Sequence, residues 1–385
     1  MLTVEQATSY IQQARLHPLR DIWTGYDISQ IPFVVYDDDQ MVFINHPHPP
    51  TERPANLVAA TSTDIHGIQT ATIPVTIVGK DMQTLVPIAY HEGFHVYQHH
   101  HFTPIQPDFF TAMSYYPELN PDYRTLCELE AQVLRSDWDV DKKIRFLAHL
   151  GRLRRASLSH HTSLLGYERF LDRSEGTAHY IEQQARQTLY GITPEIGEIS
   201  HGLTRFYQVG AGLCWLVQHV VTDWMHRVEA GESLGDILLT LSDASADLAE
   251  IGYSDVKQTQ TEQCAMMHKE VQAHITHLYA NGTIIIAYGD VQPMYRAFNP
   301  TTLTSLGDGR VLHRSMFQLI MPKYGKIACD NTIALDLMNT KQVVIENVPY
   351  TYADGVLVID SPHIQAKITH VVRHADNLFH VIEGT

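Results

Sequence analysis

Long apolar runs, basic stretches and paired cysteines are all missing from this chain of 385 residues. The most apolar window, Val209 to Val221, carries Gln218 and His219 and is too short to span a bilayer, so it predicts a buried helix. Acidic residues number 43 against 27 basic ones, a formal charge of −16. No segment has the lysine and arginine density that a phosphate backbone demands, which argues against nucleic acid as a partner. The run from Arg152 to Ala156 comes nearest, and a solvated helix face explains it. The four cysteines, Cys127, Cys214, Cys264 and Cys329, lie far apart with no C-x-x-C pair, which predicts free buried thiols in a reducing compartment. The first residues show neither a basic nor an apolar signal region, so a cytoplasmic location without membrane association is expected. G-x-S-x-G, P-loop and G-x-G-x-x-G patterns are absent as well, which leaves no signature of a serine hydrolase or a nucleotide site.

The length favours two domains, or one large domain with an appendix. Residues up to about 20 have helical periodicity through Val4, Ala7, Tyr10, Ile11 and Ala14. From residue 31 the texture is strand-like, in IPFVVYD, MVFIN and ATIPVTIVG, with HPHPP (His46 to Pro50) as a stiff connection. From Met82 the periodicity predicts helices over roughly 83–101, 122–139, 141–159, 161–189, 201–229, 233–250 and 257–280. His160 and His161 are placed to cap the fourth of these, and Asn281 with Gly282 to close the last. Beyond them β-branched runs such as TIIIAY, QVVIEN and VLVID alternate with Gly, Asp and Asn turns. The expectation is an α+β chain, with residues 1–280 a mainly helical body carrying a small N-terminal sheet (strands about 31–80) and residues 281–385 a β-rich C-terminal domain.

Histidine is plentiful, and five of the 24 fall in HEGFHVYQHHH, from His91 to His101. Within it, His91, Glu92, Gly93, Phe94 and His95 form an H-E-x-x-H. Residues four apart on a helix project from one face, so both imidazoles can reach one ion, and Glu92 then stands beside it as a base for water. Zinc suits such ligands and keeps a coordination position open in catalytic sites. Val86, Ala89, Tyr90, Gly93, Val96 and Tyr97 give the helix an apolar stripe, and Gly93 implies close packing, since glycine there costs about 1 kcal/mol against alanine. His99 continues the series, but a straight helix does not easily wrap three residues spread over two turns around one tetrahedral ion. His99, His100 and His101 therefore read as a helix end. His268, His274 and His277 share one late helix and read as surface residues.

Two imidazoles need a third protein ligand, and later helices offer Glu175, Glu130 and Glu128. Glu175 lies in a stretch where Glu168, Asp172, Glu175, His179 and Glu182 recur at helical spacing. Gly176 and Ala178 beside it are small enough to let that helix press against the HEGFH helix. Glu130 sits on an apolar stripe with Leu126, Val133 and Leu134, where a carboxylate needs a partner; a hydrogen bond to His91 or His95 is its expected role. Glu128 lies opposite.

HEGFH together with SEGTAHY resembles the gluzincin zinc metallopeptidases, zinc aminopeptidases and bacterial collagenases among them. The resemblance covers some fifteen residues. It implies a zincin-like body with Zn2+ held by His91, His95 and Glu175, and with Glu92 as general base. A donor to the tetrahedral oxyanion is also required, for which Tyr180, Tyr167, Tyr207 and His179 are candidates, Tyr180 joining Glu92 in the expected catalytic pair. The gap from His95 to Glu175 is longer than in most members, and His179 stands where a carboxylate often orients a ligand histidine. The expected activity is zinc-dependent hydrolysis of a peptide or small amide. A non-catalytic metal-binding or regulatory protein on the same frame is the alternative, and a helical interaction protein in which HEGFH is coincidence is a third.

Overall fold

The computed structural model describes residues 1–383 except 55, 106, 160, 197–201, 203, 281, 290 and 292–294, with backbone only for 295 and 296. Helix α1 (Val4–Leu16) opens on a capping box in which Thr3 and Gln6 exchange side-chain and backbone hydrogen bonds. Four strands come next, β1 (Phe33–Tyr36), β2 (Met41–Ile44), β3 (Thr61–Ile65) and β4 (Ile68–Pro74), in the order β2-β1-β4-β3, so β3 is outermost. β1 and β4 run parallel and the other pairs antiparallel. The run ATIPVTIVG is not one strand: Pro74 ends β4, and Val75–Val78 form the single turn α2.

Helix α3 (Met82–His101) starts where the Asp81 side chain accepts from Thr84 N–H at 2.8 Å. It lies against the sheet, and its Gly93 packs closely on side chains of the preceding segment. A Cβ there would stand 2.8 Å from Tyr26 Oη and 3.1 Å from Phe33 Cζ. Then come α4 (Phe109–Tyr115), α5 (Pro121–Arg135), α6 (Val140–Leu158), α7 (Thr162–Leu171), a five-residue π turn (Asp172–Gly176) and α8 (Thr177–Tyr190). α9 (Thr204–Val217), α10 (Trp224–Glu229), α11 (Leu234–Leu241) and α12 (Tyr253–Ala280) complete the body.

Several expected helices are shorter or divided. The helix expected over 201–229 breaks between α9 and α10, where Val220, Val221 and Thr222 resist helical rotamers. That over 233–250 ends at Leu241, because Ser242, Asp243, Ser245 and Asp247 compete for the backbone. Helix α4 has no counterpart among the expected helices. His161 occupies the N-cap position of α7, but its ring bonds Ser163 Oγ rather than a backbone N–H. His160 and Asn281 lie outside the described residues.

Residues 283–381 form two sheets of six and seven strands, whose facing sides bury Ile286, Phe317, Ile345, Ile359 and Phe379. Helix α12 covers the outside of the seven-stranded sheet, with Val271, Ile275 and Leu278 against Leu312, Leu335 and Val344. The hairpin of Leu303–Ser305 and Arg310–His313 reaches into the body, where Leu303 and Val311 join Tyr116, Tyr123 and Phe206. There Ser305 N–H donates to Glu118 Oε2 at 2.5 Å. The chain is therefore α+β, a helical body followed by β-rich C-terminal sheets. Its four cysteines are buried and unpaired. Among the described residues no helix is long and apolar enough to cross a membrane.

Candidate metal centre

His91 and His95 turn their Nε2 atoms towards each other from one flank of α3, 3.2 Å apart. Glu175, carried by the π turn, brings Oε2 to 3.5 Å from His91 Nε2 and 3.4 Å from His95 Nε2. Ligand atoms bound to zinc at 2.0–2.1 Å at tetrahedral angles stand about 3.3–3.4 Å from one another. The three observed edges match that spacing. Glu175 Oε2 is also buried without a hydrogen-bond partner, as an oxygen reserved for an ion would be. Glu92 is buried too, and one of its carboxylate oxygens lies within 4.8 Å of a ring nitrogen of each histidine.

Neighbouring side chains fix which ring nitrogen carries the proton. Gln98 gives its amide N–H groups to the carbonyls of Arg173 and Ser174 and to Thr177 Oγ1, at 2.8–3.2 Å. Those donors orient the amide, so Gln98 Oε1 must accept from His95 Nδ1, 2.7 Å away. His95 Nε2 is thereby left with a free lone pair. A longer chain sets His91. Trp215 Nε1, which can only donate, bonds Gln183 Oε1 at 2.9 Å, and Gln183 Nε2 then faces His179 Nε2 at 3.3 Å. His179 Nδ1 consequently donates to Glu182 Oε2 at 3.0 Å, and that oxygen lies 3.3 Å from His91 Nδ1. A proton on Nδ1 would face Glu182 and leave His91 Nε2 to an ion. His91, His179 and Glu182 could themselves surround an ion. Arg186, 2.6 Å from Glu182 Oε1, already neutralises that carboxylate, and a relay of hydrogen bonds accounts for the grouping.

The charge of the cluster points the same way. Burial alone would lower the pKa of His91, yet Glu175 and Glu182 outweigh it and raise the ring to about 10. Burial would raise the Glu175 carboxyl, but His95 and His91 hold it well below the usual carboxylate range. Glu92 and Glu175, two enclosed carboxylates that no arginine or lysine pairs with among the described residues, call for added positive charge next to the imidazoles, as protons or as a cation.

Tyr207, on α9, stacks on His91 with ring centroids 5.7 Å apart and planes 8° from parallel. Burial and the Glu175 carboxylate, within hydrogen-bond reach of its hydroxyl, push its pKa well above the ordinary value, so it stays a donor. Of the four candidates for that role, it is the one stacked on His91. Tyr180 is not: it packs edge-on against Trp215 and Trp224 in the apolar core, and its hydroxyl is committed to Gln218 and Gln184. Tyr167 is buried among Phe109, Tyr116 and Phe206. His179 serves the relay.

Glu130 corrects another expectation. Rather than supporting His91 or His95, it is enclosed with Arg154, at 3.0 Å, and with Arg205, while Arg154 also pairs with Glu168. Glu128 pairs with Arg135 at 3.1 Å, away from the centre. Gly176 does allow a close approach, but towards α9: a Cβ on it would lie 2.7 Å from Gly210 Cα. His99, His100 and His101 are exposed at the end of α3. Gln98, Gln183 and Trp215 are site residues that sequence reasoning missed. Gln98, seven residues beyond His91 and on its flank, is within reach of the same helical reasoning.

A cavity of about 410 Å3 is walled by His95 and Glu175, the end of α3 and the strand β3. No family model, curated protein or solved structure matches the chain.

Proposed function

We propose that the chain is a zinc-dependent hydrolase of amide bonds, a metallopeptidase of gluzincin type. The observation that carries this reading is the trio of His91, His95 and Glu175 atoms, spaced at 3.2–3.5 Å as the edges of one tetrahedral face. Zinc held there by His91, His95 and Glu175 would supply an acidified water and an electrophile for a carbonyl oxygen. Glu92 would take a proton from that water and return it to the departing amine. Burial raises the Glu92 pKa, which suits a carboxylate that must carry a proton between two steps. Tyr207 points an O–H at the charge that develops on the carbonyl oxygen. Gln98 and Glu182 hold the two rings still and keep their Nε2 lone pairs free.

A non-catalytic metal protein on this frame would have its coordination closed by protein. The cavity beside His95 and Glu175 favours the catalytic reading instead. The test is metal analysis of protein purified without an affinity tag, then chelation and zinc replacement while peptide hydrolysis is monitored. One zinc per chain with activity lost and restored in step supports the reading. Stoichiometric zinc without hydrolysis of any peptide supports the non-catalytic alternative.

A further inference from the structure

We infer that the cavity beside the metal centre selects substrates that carry a carboxylate, and that Arg173 is the residue that receives it. The inference rests on the hydrolase reading above and narrows its substrate class. Arg173 lies two residues before Glu175 in the π turn and lines the same cavity as His95 and Glu175. Phe102, whose ring lies 5.4 Å from the guanidinium carbon, and Thr103, whose carbonyl accepts from it, line that cavity too. Arg173 is only 4% exposed. Arginine keeps its proton in proteins, and a charge so enclosed is costly to leave unpaired.

Other enclosed arginines have carboxylate partners: Arg154 pairs with Glu130 and Glu168, and Arg205 with Glu130. Arg173 has none among the described residues. Its Nε donates to Val228 O at 3.0 Å, Nη1 to Thr103 O at 3.1 Å and Nη2 to Glu229 O at 3.4 Å. Those three carbonyls leave one N–H on each Nη and do not neutralise the charge. Burial lowers the pKa of Arg173, and no anionic neighbour among the described residues raises it. The Glu229 carboxylate turns away to Trp23 Nε1 and Tyr97 Oη, both at 2.8 Å. Glu175, the one carboxylate among the described residues lining the cavity, belongs to the ligand trio. A substrate carboxylate supplies what is missing, a negative charge and acceptors for two N–H groups. Its source is either the C-terminus of a peptide or an Asp or Glu side chain.

The experiment gives the zinc-loaded full chain four mixtures of five-residue peptides, all acetylated at the N-terminus. The C-terminus is a free acid or an amide, and Asp and Glu are either included or replaced by Asn and Gln. The expected result is a kcat/KM at least tenfold higher for peptides with a carboxylate than for the neutral mixture. Preference for acid ends assigns the group to the chain terminus, and preference for Asp or Glu among amidated peptides assigns it to a side chain; either supports the inference. Arg173→Gln should bring the ratio within about twofold of one, and Arg173→Lys, which keeps the charge, should restore part of it. A purely structural role would slow every mixture alike. Calorimetry on the zinc-free chain, where no metal can take the carboxylate, compares acetylphenylalanine with its amide and acetylglutamic α-amide with its glutamine analogue. At least one acid should bind tenfold more tightly than its neutral partner, and these wild-type comparisons decide if the variants fail to fold. Equal hydrolysis of charged and neutral mixtures, or a ratio unchanged in Arg173→Gln, overturns the inference and leaves the hydrolase reading intact. No hydrolysis at one zinc per chain, with selective binding of an acid, overturns the hydrolase reading and keeps the carboxylate site. Neither hydrolysis nor selective binding overturns both.

Discussion

At the scale of single residues, roles separate by what each side chain touches. Glu92→Gln keeps the shape and the ligand trio but removes the base, so zinc content should stay at the wild-type level while turnover falls by roughly 10²–10⁴. Parallel metal analysis and peptide kinetics check this; near-normal turnover would take Glu92 out of the mechanism. Glu175→Ala should abolish tight zinc binding. Glu130→Gln, which breaks into the enclosed arginine cluster, should leave zinc affinity alone and cost stability, on the order of 3–5 kcal/mol for a buried pair that loses its partner. A competition titration and a urea melt distinguish the two. Glu182→Gln should lower zinc affinity about 10–100-fold, the scale seen when an orienting partner of a ligand histidine is lost. The proposed histidine ligands are legible in sequence because helical spacing places His91 and His95 on one flank. The donor is not. Tyr180 and Tyr207 are indistinguishable by spacing, and only the seating of α9 against the π turn brings the second over His91. Glu130 misleads for a related reason: its apolar stripe signals burial, but its partners Arg154 and Arg205 lie on other helices.

At the scale of elements, the π turn at Asp172–Gly176 is the decisive irregularity. Regular spacing would put Glu168, Asp172, Glu175, His179 and Glu182 on one face. An extra residue in the turn rotates α8 by about 100° relative to α7, so Glu168 faces the arginines while Glu175 and Glu182 face α3. Gln98 occupies the carbonyls of Arg173 and Ser174 in that turn, tying its geometry to the helix it serves. Such a turn leaves no mark in hydrophobic periodicity. It is pinned from behind by Gly176 and Gly210, and a Cβ on Gly210 would lie 2.3 Å from Gly176 Cα. Gly210→Ala should therefore cost roughly 1–3 kcal/mol and weaken zinc binding, read from thermal melting and zinc titration. Elsewhere, Glu118 joins the body to the C-terminal hairpin. Burial lifts its pKa from 4.5 to about 7. The folded protein then binds this proton more tightly than the unfolded chain, so stability falls as pH rises from about 5 to 7, by at most ~1.4 kcal/mol per unit. Glu118→Gln, which still accepts from Ser305 N–H, should flatten that part of the profile in urea melts at stepped pH. An unchanged slope would mean the carboxyl is ionised throughout.

At the scale of the whole molecule, the change from 3.6-residue to two-residue periodicity near residue 281 is legible in sequence, and α12 ends at Ala280 with the next strand starting at Thr283. What periodicity cannot show is that α12 lies across the C-terminal sheet and that a hairpin enters the body core. Limited proteolysis near 278–284 should release a β-rich fragment only slowly, because Leu303 and Val311 must leave that core; rapid release of two stable pieces would show the interface to be weak. The candidate metal centre belongs wholly to the body, between α3, the π turn, α8 and α9. The most direct test of the account is anomalous diffraction at the zinc edge from crystals of protein purified without an affinity tag. The account predicts one peak, about 2.0–2.2 Å from Nε2 of His91, Nε2 of His95 and Oε2 of Glu175, with the remaining coordination position open to the cleft. A peak among His91 Nδ1, His179 and Glu182, a fourth protein ligand closing the site, or no peak from zinc-replete protein would contradict it.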